Sequence, residues 1–291
     1  MYAAEFDYYK ADSVGDAIRM LRSHDGAKLL AGGHSLLPLM KLRLARPAAV
    51  IDIGGIRDLK GVTRHDNTLR IGALTTHWEI ASSEEVKNHC PLLAEVAAGI
   101  GDPQVRNRGT IGGNVAHADP ASDWPTALTA LDARFVLQVP GPLGGRTISA
   151  EDFFKGAFTT ALEDDHVLTA IEVPCFGLNQ KGEYAKMAHP ASYYAVVGGA
   201  VVVTIENHQC TAARVAVGGL VPSPVRATSV ETALVGKELT RDNIAQAADH
   251  LADDLGDDVF GDIYASAEFR RSVAPVEIRH ALYHAIGTAH H

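Results

Sequence analysis

Two glycine-rich stretches hold the residue types best suited to gripping a charged ligand. Gly32-Gly33-His34-Ser35 stands where an apolar, strand-like run (residues 27–31) passes into a helical one (residues 36–44). Paired glycines reach backbone torsions that other residues avoid and let a ligand approach the amides closely. Successive N–H groups at a helix start form an anion pocket, so a phosphate or pyrophosphate is the natural guest; a plain tight turn is the alternative. The second stretch, Gly109-Thr110-Ile111-Gly112-Gly113-Asn114, continues through Ala116-His117-Ala118-Asp119 to Asp123. Residues 101–123 read as mostly loop, and a long loop inside a compact domain is usually functional. Gly112 and Gly113 again permit close approach, Thr110 and Asn114 offer neutral hydrogen-bonding groups, and Asp119 and Asp123 offer carboxylates. Neutral donors around a phosphate, with a carboxylate nearby for sugar hydroxyls, is the chemistry of nucleotide recognition.

Better-known loops fit less well. A dinucleotide fingerprint needs G-x-G-x-x-G, and residues 32–37 lack both the spacer and the third glycine. No G-K-[ST] follows to make a P-loop. Gly33-His34-Ser35-Leu36-Leu37 resembles a nucleophile elbow, but Leu37 stands where a small residue must let strand and helix pack closely. A metal site on His117, Asp119 and Asp123 would have a loop spacing that matches no established ligand set. Cys90, Cys175 and Cys210 are too dispersed for a disulfide framework or a C-x-x-C site and read as small thiols in a reducing cytosol.

The elements that must position these stretches alternate between strand and helix patterns, which points to mixed α and β architecture. Residues 13–24 read as a helix capped by Ser13 with Asp16 as its box partner, ended by Gly26. Strand 27–31, the first glycine turn, helix 36–44 and strand 49–53 make a compact β-α-β unit. Short strands are expected near residues 61–62, 68–71 and 72–75, then helices over 84–99 with a break at Pro91. A short helix at 125–130 and strands at 133–139, 146–149 and 167–173 follow. Residues 174–182 are the best linker. Beyond them lie two strong β runs, 193–206 and 212–221, then helical stretches at 225–235, 243–255 and 275–286. This pattern divides the chain into spans 1–55, 56–176 and 177–291.

Composition bounds the function. The 291 residues are 46% hydrophobic and 21% charged, with a formal net charge of −9. An acidic chain gains no general attraction to nucleic-acid backbones or anionic lipid. The longest apolar run, residues 195–205, falls short of the ~20 residues a membrane span needs, and residues 1–10 lack a secretory core segment.

Ala31-Gly32-Gly33-His34-Ser35-Leu36-Leu37-Pro38 and Thr110-Ile111-Gly112-Gly113-Asn114 together resemble the paired FAD-binding motifs of the medium subunits of molybdenum-containing hydroxylases. The carbon monoxide dehydrogenase flavoproteins are the nearest type and the xanthine dehydrogenase flavin domain a more distant one. Gly72-Ala73-Leu74-Thr75, Gln104-Val105-Arg106-Asn107 and Ile171-Glu172-Val173-Pro174 extend the likeness over nearly the whole chain. The resemblance implies an α+β chain with a flavin fold of the vanillyl-alcohol-oxidase/cresol-methylhydroxylase type. Two α/β subdomains would clasp FAD, and a C-terminal antiparallel sheet with a helical bundle would complete the subunit. It also implies that Ala31, Gly32, Gly33, His34, Ser35 and Leu36, with Thr110, Gly112, Gly113 and Asn114, cradle the pyrophosphate through amides and short side chains. Asp123 would accept from ribityl or ribose hydroxyls, and Ile100 and Leu168 would touch the cofactor. Lys186 would set its charge beside the flavin, and Tyr193 (or its neighbour Tyr194) would cover one face of the ring. His34 and His117 read as shapers of their loops.

By the same resemblance the chain is an electron-transfer subunit. It would take electrons from 2Fe-2S clusters of a small partner, fed by a large molybdopterin-binding partner, and pass them to an external acceptor. A dimer of three-subunit units in the cytoplasm is implied. Three scattered cysteines cannot hold an iron–sulfur cluster, so FAD should be this chain's own redox group. Two alternatives stand beside it: a free-standing FAD-dependent oxidoreductase with its own substrate, and a scaffold that has lost FAD.

Overall fold

The structure is a computed structural model and describes residues 2–141 and 144–287. It opens on a strand that the sequence pattern conceals, β1 (Asp7–Lys10); three of its four residues are exposed, so only pairing with a later strand makes it β. Helix α1 (Val14–Ser23) is capped as expected, Ser13 Oγ accepting the Asp16 N–H at 3.1 Å. The Asp16 carboxylate accepts from Asp12 N–H, not from the capping serine, so the expected box is offset by one residue. Strand β2 (Lys28–Leu30), helix α2 (Leu36–Lys41) and strand β3 (Ala49–Asp52) complete the first unit. Both β1 and β2 run parallel to β3, in the order β1-β3-β2. The β-α-β unit is therefore present with one strand added. Helix α2 stops short of residue 44, where Leu42 and Leu44 are exposed and Arg43 turns left-handed at φ +61°.

The second unit begins with the hairpin β4 (Val62–His65) and β5 (Thr68–Gly72), and residues 73–75 leave the sheet as a turn. Helices α3 (His77–Ser82), α4 (Glu84–His89) and α5 (Pro91–Ala98) follow, with Pro91 opening α5. Residues 101–123 are not mostly loop: they form α6 (Pro103–Arg108) and α7 (Ile111–His117). Their start signals are ordinary ones. Asp102 accepts from Val105 N–H at 2.8 Å, and Thr110 accepts from Gly113 N–H at 3.1 Å. Low helix propensity at Gly112 and Gly113 conceals α7 from a reading by pattern. The buried helix α8 (Asp123–Ala130) comes next, then β6 (Arg134–Gln138), β7 (Gly145–Ser149), α9 (Ala150–Phe153), a ribbon of β8 (Phe154–Gly156) and β9 (Thr159–Thr160), and β10 (Val167–Pro174). The main sheet is antiparallel, ordered β4-β5-β10-β6-β7.

The third unit is the antiparallel sheet of β11 (Gln180–Ala188), β12 (Ala195–Glu206), β13 (Gln209–Gly218) and β14 (Val225–Arg226). The expected linker shrinks to residues 175–179, because β10 includes Pro174 and β11 starts at Gln180. Tyr193 and Tyr194 lie in the turn before β12, outside the strand. Strand β12 is buried on both faces, and its alternation shows why. Val197, Val201 and Val203 pack with Ile278, while Ala200 meets Ala130 of α8. Helices α10 (Thr228–Leu234), α11 (Arg241–Asp249) and α12 (Leu251–Asp254) precede α13 (Ala267–Ala285). The expected start at Pro275 is wrong: α13 begins eight residues earlier at Ala267, capped by Ser266, and Pro275 lies inside the helix. Burial of Arg270, Ala274, Ile278 and Leu282 on one side sustains it through the proline. Where this unit meets the second, Ala195 N–H donates to Ala121 O (3.0 Å) and Gly219 N–H to Pro120 O (3.1 Å). Among the described residues no helix is long and apolar enough to cross a membrane.

Candidate functional site

The two glycine-rich turns touch each other. A β-carbon placed on Gly32 would lie 2.1 Å from the Arg108 carbonyl oxygen and 3.0 Å from Gly109 Cα. Both turns line a cleft of about 420 Å³, together with Ile100, Asp123, Leu168, Ser192, Tyr193 and Tyr194. The first turn has the form its residues imply. Gly33 sits at φ +75°, where a β-carbon is strained, and His34 Nδ1 lies 3.0 Å from Gly32 O, shaping the bend. Among the described residues, none of the N–H groups of Gly33, His34, Ser35 and Leu36 makes a hydrogen bond. Four successive amides without partners beside a cleft are what an anion requires. A phosphate-bearing ligand fits this turn.

The second turn works differently from the expectation. Four of its amides are already committed, three of them to backbone: Ile111 N–H to Thr75 O (3.0 Å), Gly112 to Ala73 O (2.9 Å) and Asn114 to Thr110 O (3.0 Å). Gly113 N–H is spent on the Thr110 cap. What Thr110 and Asn114 can offer a ligand is side-chain hydroxyl and amide, with the Thr110 N–H as the one main-chain donor left over among the described residues. Gly112 is needed for packing, since a β-carbon there would come within 2.5 Å of Ala73 Cβ.

Asp123 closes the cleft floor and is 5% exposed. Its Oδ1 accepts from Tyr184 Oη at 2.8 Å and its Oδ2 from Lys186 Nζ at 2.6 Å. Burial pushes this carboxyl above the usual carboxylate range, while the Lys186 ammonium and the Tyr184 hydroxyl pull it down. Each oxygen keeps a further lone pair for a hydroxyl donor. Lys186 itself is not among the residues lining the cleft. Leu168 is, and it lies at a register break of β10 against β6, between Leu168 and Ala170. Such bulges re-aim side chains beside sites. Ile100 is held by Arg106, which donates to Ile100 O (3.1 Å) and Gly101 O (2.7 Å). His117 packs against the Phe158 ring at 5.2 Å. The set His117, Asp119 and Asp123 does not converge as a metal site; the one such cluster among the described residues is Glu163, Asp165 and His166.

Sequence reasoning missed His77. It lines the cleft, is 2% exposed, and its Nδ1 accepts from Trp124 Nε1 at 3.1 Å, which puts the ring proton on Nε2. Burial, then the neighbouring His34 and Arg106, push its pKa down to about 4. An unfolded histidine titrates near 6.5, so between the two values the unfolded chain binds the extra proton and stability rises with pH. The neutral ring contributes fully above about pH 6.5 and loses ~3 kcal/mol as pH falls to about 4. His77→Gln, which keeps an acceptor for Trp124, should flatten this slope in denaturant titrations between those pH values. An unchanged slope would contradict the assignment.

A family profile described as the FAD-binding domain in molybdopterin dehydrogenase matches residues 4–176, and one described as the CO dehydrogenase flavoprotein C-terminal domain matches residues 182–285. The chain is 39% identical to the carbon monoxide dehydrogenase medium chain of Hydrogenophaga pseudoflava over 283 residues, 97% of each protein. It is 38% identical to the glyceraldehyde dehydrogenase medium chain of Sulfolobus acidocaldarius, covering 95% of this chain and 96% of that one. The fold superposes on a solved chain of the Hydrogenophaga pseudoflava carbon monoxide dehydrogenase with a TM-score of 0.94 at 39% identity, over the full length of both.

Proposed function

We propose a function from one premise: the chain belongs to the family of FAD-binding medium subunits of molybdenum hydroxylase-type dehydrogenases. It is a flavoprotein oxidoreductase subunit. Its place in the reaction is that of a relay, taking electrons from 2Fe-2S clusters of a small partner and delivering them to an external acceptor. A large molybdopterin-binding partner would carry the substrate chemistry. The whole would be a dimer of three-subunit units working in the cytoplasm.

The observation that carries this reading is the contact between the two turns over one cleft, with four partnerless amides on the first. Gly33, His34, Ser35 and Leu36 would bind the diphosphate of FAD through N–H groups, and Thr110 and Asn114 would add their side chains. Asp123 would orient the polyol, and Tyr193 or Tyr194 would exclude water from one face of the ring. When bound, FAD supplies the junction between one-electron and two-electron transfer. Near-equal identity to relatives named for carbon monoxide and for glyceraldehyde leaves the substrate class to the large partner.

Purification from the native source tests the relay. The expected result is copurification with two other chains, together bearing molybdenum and iron, and flavin bleaching by substrate only in that assembly. A single-chain flavoprotein turning over its own donor would overturn it in favour of a free-standing oxidoreductase.

A further inference from the structure

Lys186 ties three separate segments together at the back of the cleft. From β11 its ammonium donates to Asp123 Oδ2 (2.6 Å), to Gly99 O (3.1 Å) and to Tyr193 O (2.9 Å). An ammonium has three N–H donors. All three are committed inside the protein, and the charge is met by Asp123, so nothing is left to point at a ligand. Each acceptor belongs to, or adjoins, a segment that lines the cleft: Asp123 and Tyr193 directly, and Gly99 through Ile100.

The most demanding of these segments is the turn at 189–194. Tyr193 stands at φ +61°, a left-handed conformation that penalises a bulky side chain and persists only where the surroundings over-determine it. Within the turn, Tyr193 N–H donates to His189 O and His189 N–H to Tyr194 O, each at 2.8 Å. Among the described residues, the one hydrogen bond from the turn's strained residue to the rest of the site is that from Lys186 to its carbonyl. Lys186 lies in the region matched by the C-terminal profile, whereas Asp123 and Gly99 lie in the FAD-binding region.

We propose that Lys186 is a positioning residue, a latch that holds the 189–194 turn and its two tyrosines against the cleft by fastening Tyr193 O to Asp123 and Gly99. It acts through the place of the tyrosine ring and not as a charge on the flavin. This rests on the FAD reading only for what the tyrosines cover; the fastening itself does not.

Lys186→Met alone strands Asp123 as a buried charge, which endangers folding. The decisive variant is therefore Lys186→Met/Asp123→Asn, which keeps an acceptor for Tyr184. Hydrogen exchange on the full chain without FAD should show the His189 and Tyr193 amides exchanging about tenfold faster, with β12 and α13 unchanged. In the FAD-loaded chain, flavin fluorescence should rise as the tyrosines leave the ring. Unchanged exchange at those two amides, or faster exchange spread equally over β12 and α13, would overturn the latch. A loosened turn with an unaltered flavin signal would support the latch and count instead against FAD beneath these tyrosines.

Discussion

Gly32→Ala should cost the chain about a hundredfold in FAD affinity, ~2.7 kcal/mol. The added β-carbon would lie 2.1 Å from the Arg108 carbonyl oxygen, a main-chain atom that no rotamer change can move. Relief requires the two turns to part, and their contact is what brings Thr110, Asn114 and the free amides to one cleft. Gly33→Val acts in the same direction by a separate cause: Gly33 sits at φ +75°, and its β-carbon would meet Leu37 Cδ1 at 2.9 Å. Gly177→Ala is the control, since nothing lies within 4 Å of its β-carbon. FAD titration followed by gel filtration checks all three. Parental affinity in both turn variants would refute the cradle.

Arg270→Met should lower stability by ~3 kcal/mol or more, because it strips buried carbonyls of a charged donor. Arg270 is 4% exposed and donates to Gly219 O (2.6 Å), Val196 O (2.9 Å) and Ala265 O (3.3 Å), with Asp262 as its ion-pair partner. Gly219 and the start of β12 are also where the third unit bonds Pro120 and Ala121, so the loss falls on the seam behind the cleft. Urea unfolding should show a lower midpoint with an unchanged slope. A shift of less than about 1 kcal/mol would mean that water replaces the guanidinium at no cost.

What the sequence made legible was local. The first turn is a strand, two glycines and a helix in consecutive residues, and its conformation follows from those residues alone. Much of the site is not local. His77 enters the cleft because Thr76 bridges to Thr110 and because Gly109 leaves room for the ring, where a β-carbon would be 2.9 Å away. No residue near His77 announces this in the sequence. Lys186 was identifiable as a cleft-region residue, but the partner that neutralises it is 63 positions away on α8. The glycines of the second turn look like those of the first and serve a different end. Gly112 admits Ala73, and the helix they start consumes the amides that pattern alone would assign to a ligand.

The most direct test is a crystal structure of the chain with FAD bound. The diphosphate oxygens should lie within hydrogen-bond distance of the N–H groups of Gly33, His34, Ser35 and Leu36, with the Thr110 and Asn114 side chains on the opposite side. A diphosphate seated elsewhere, with those four amides turned to solvent, would contradict the account.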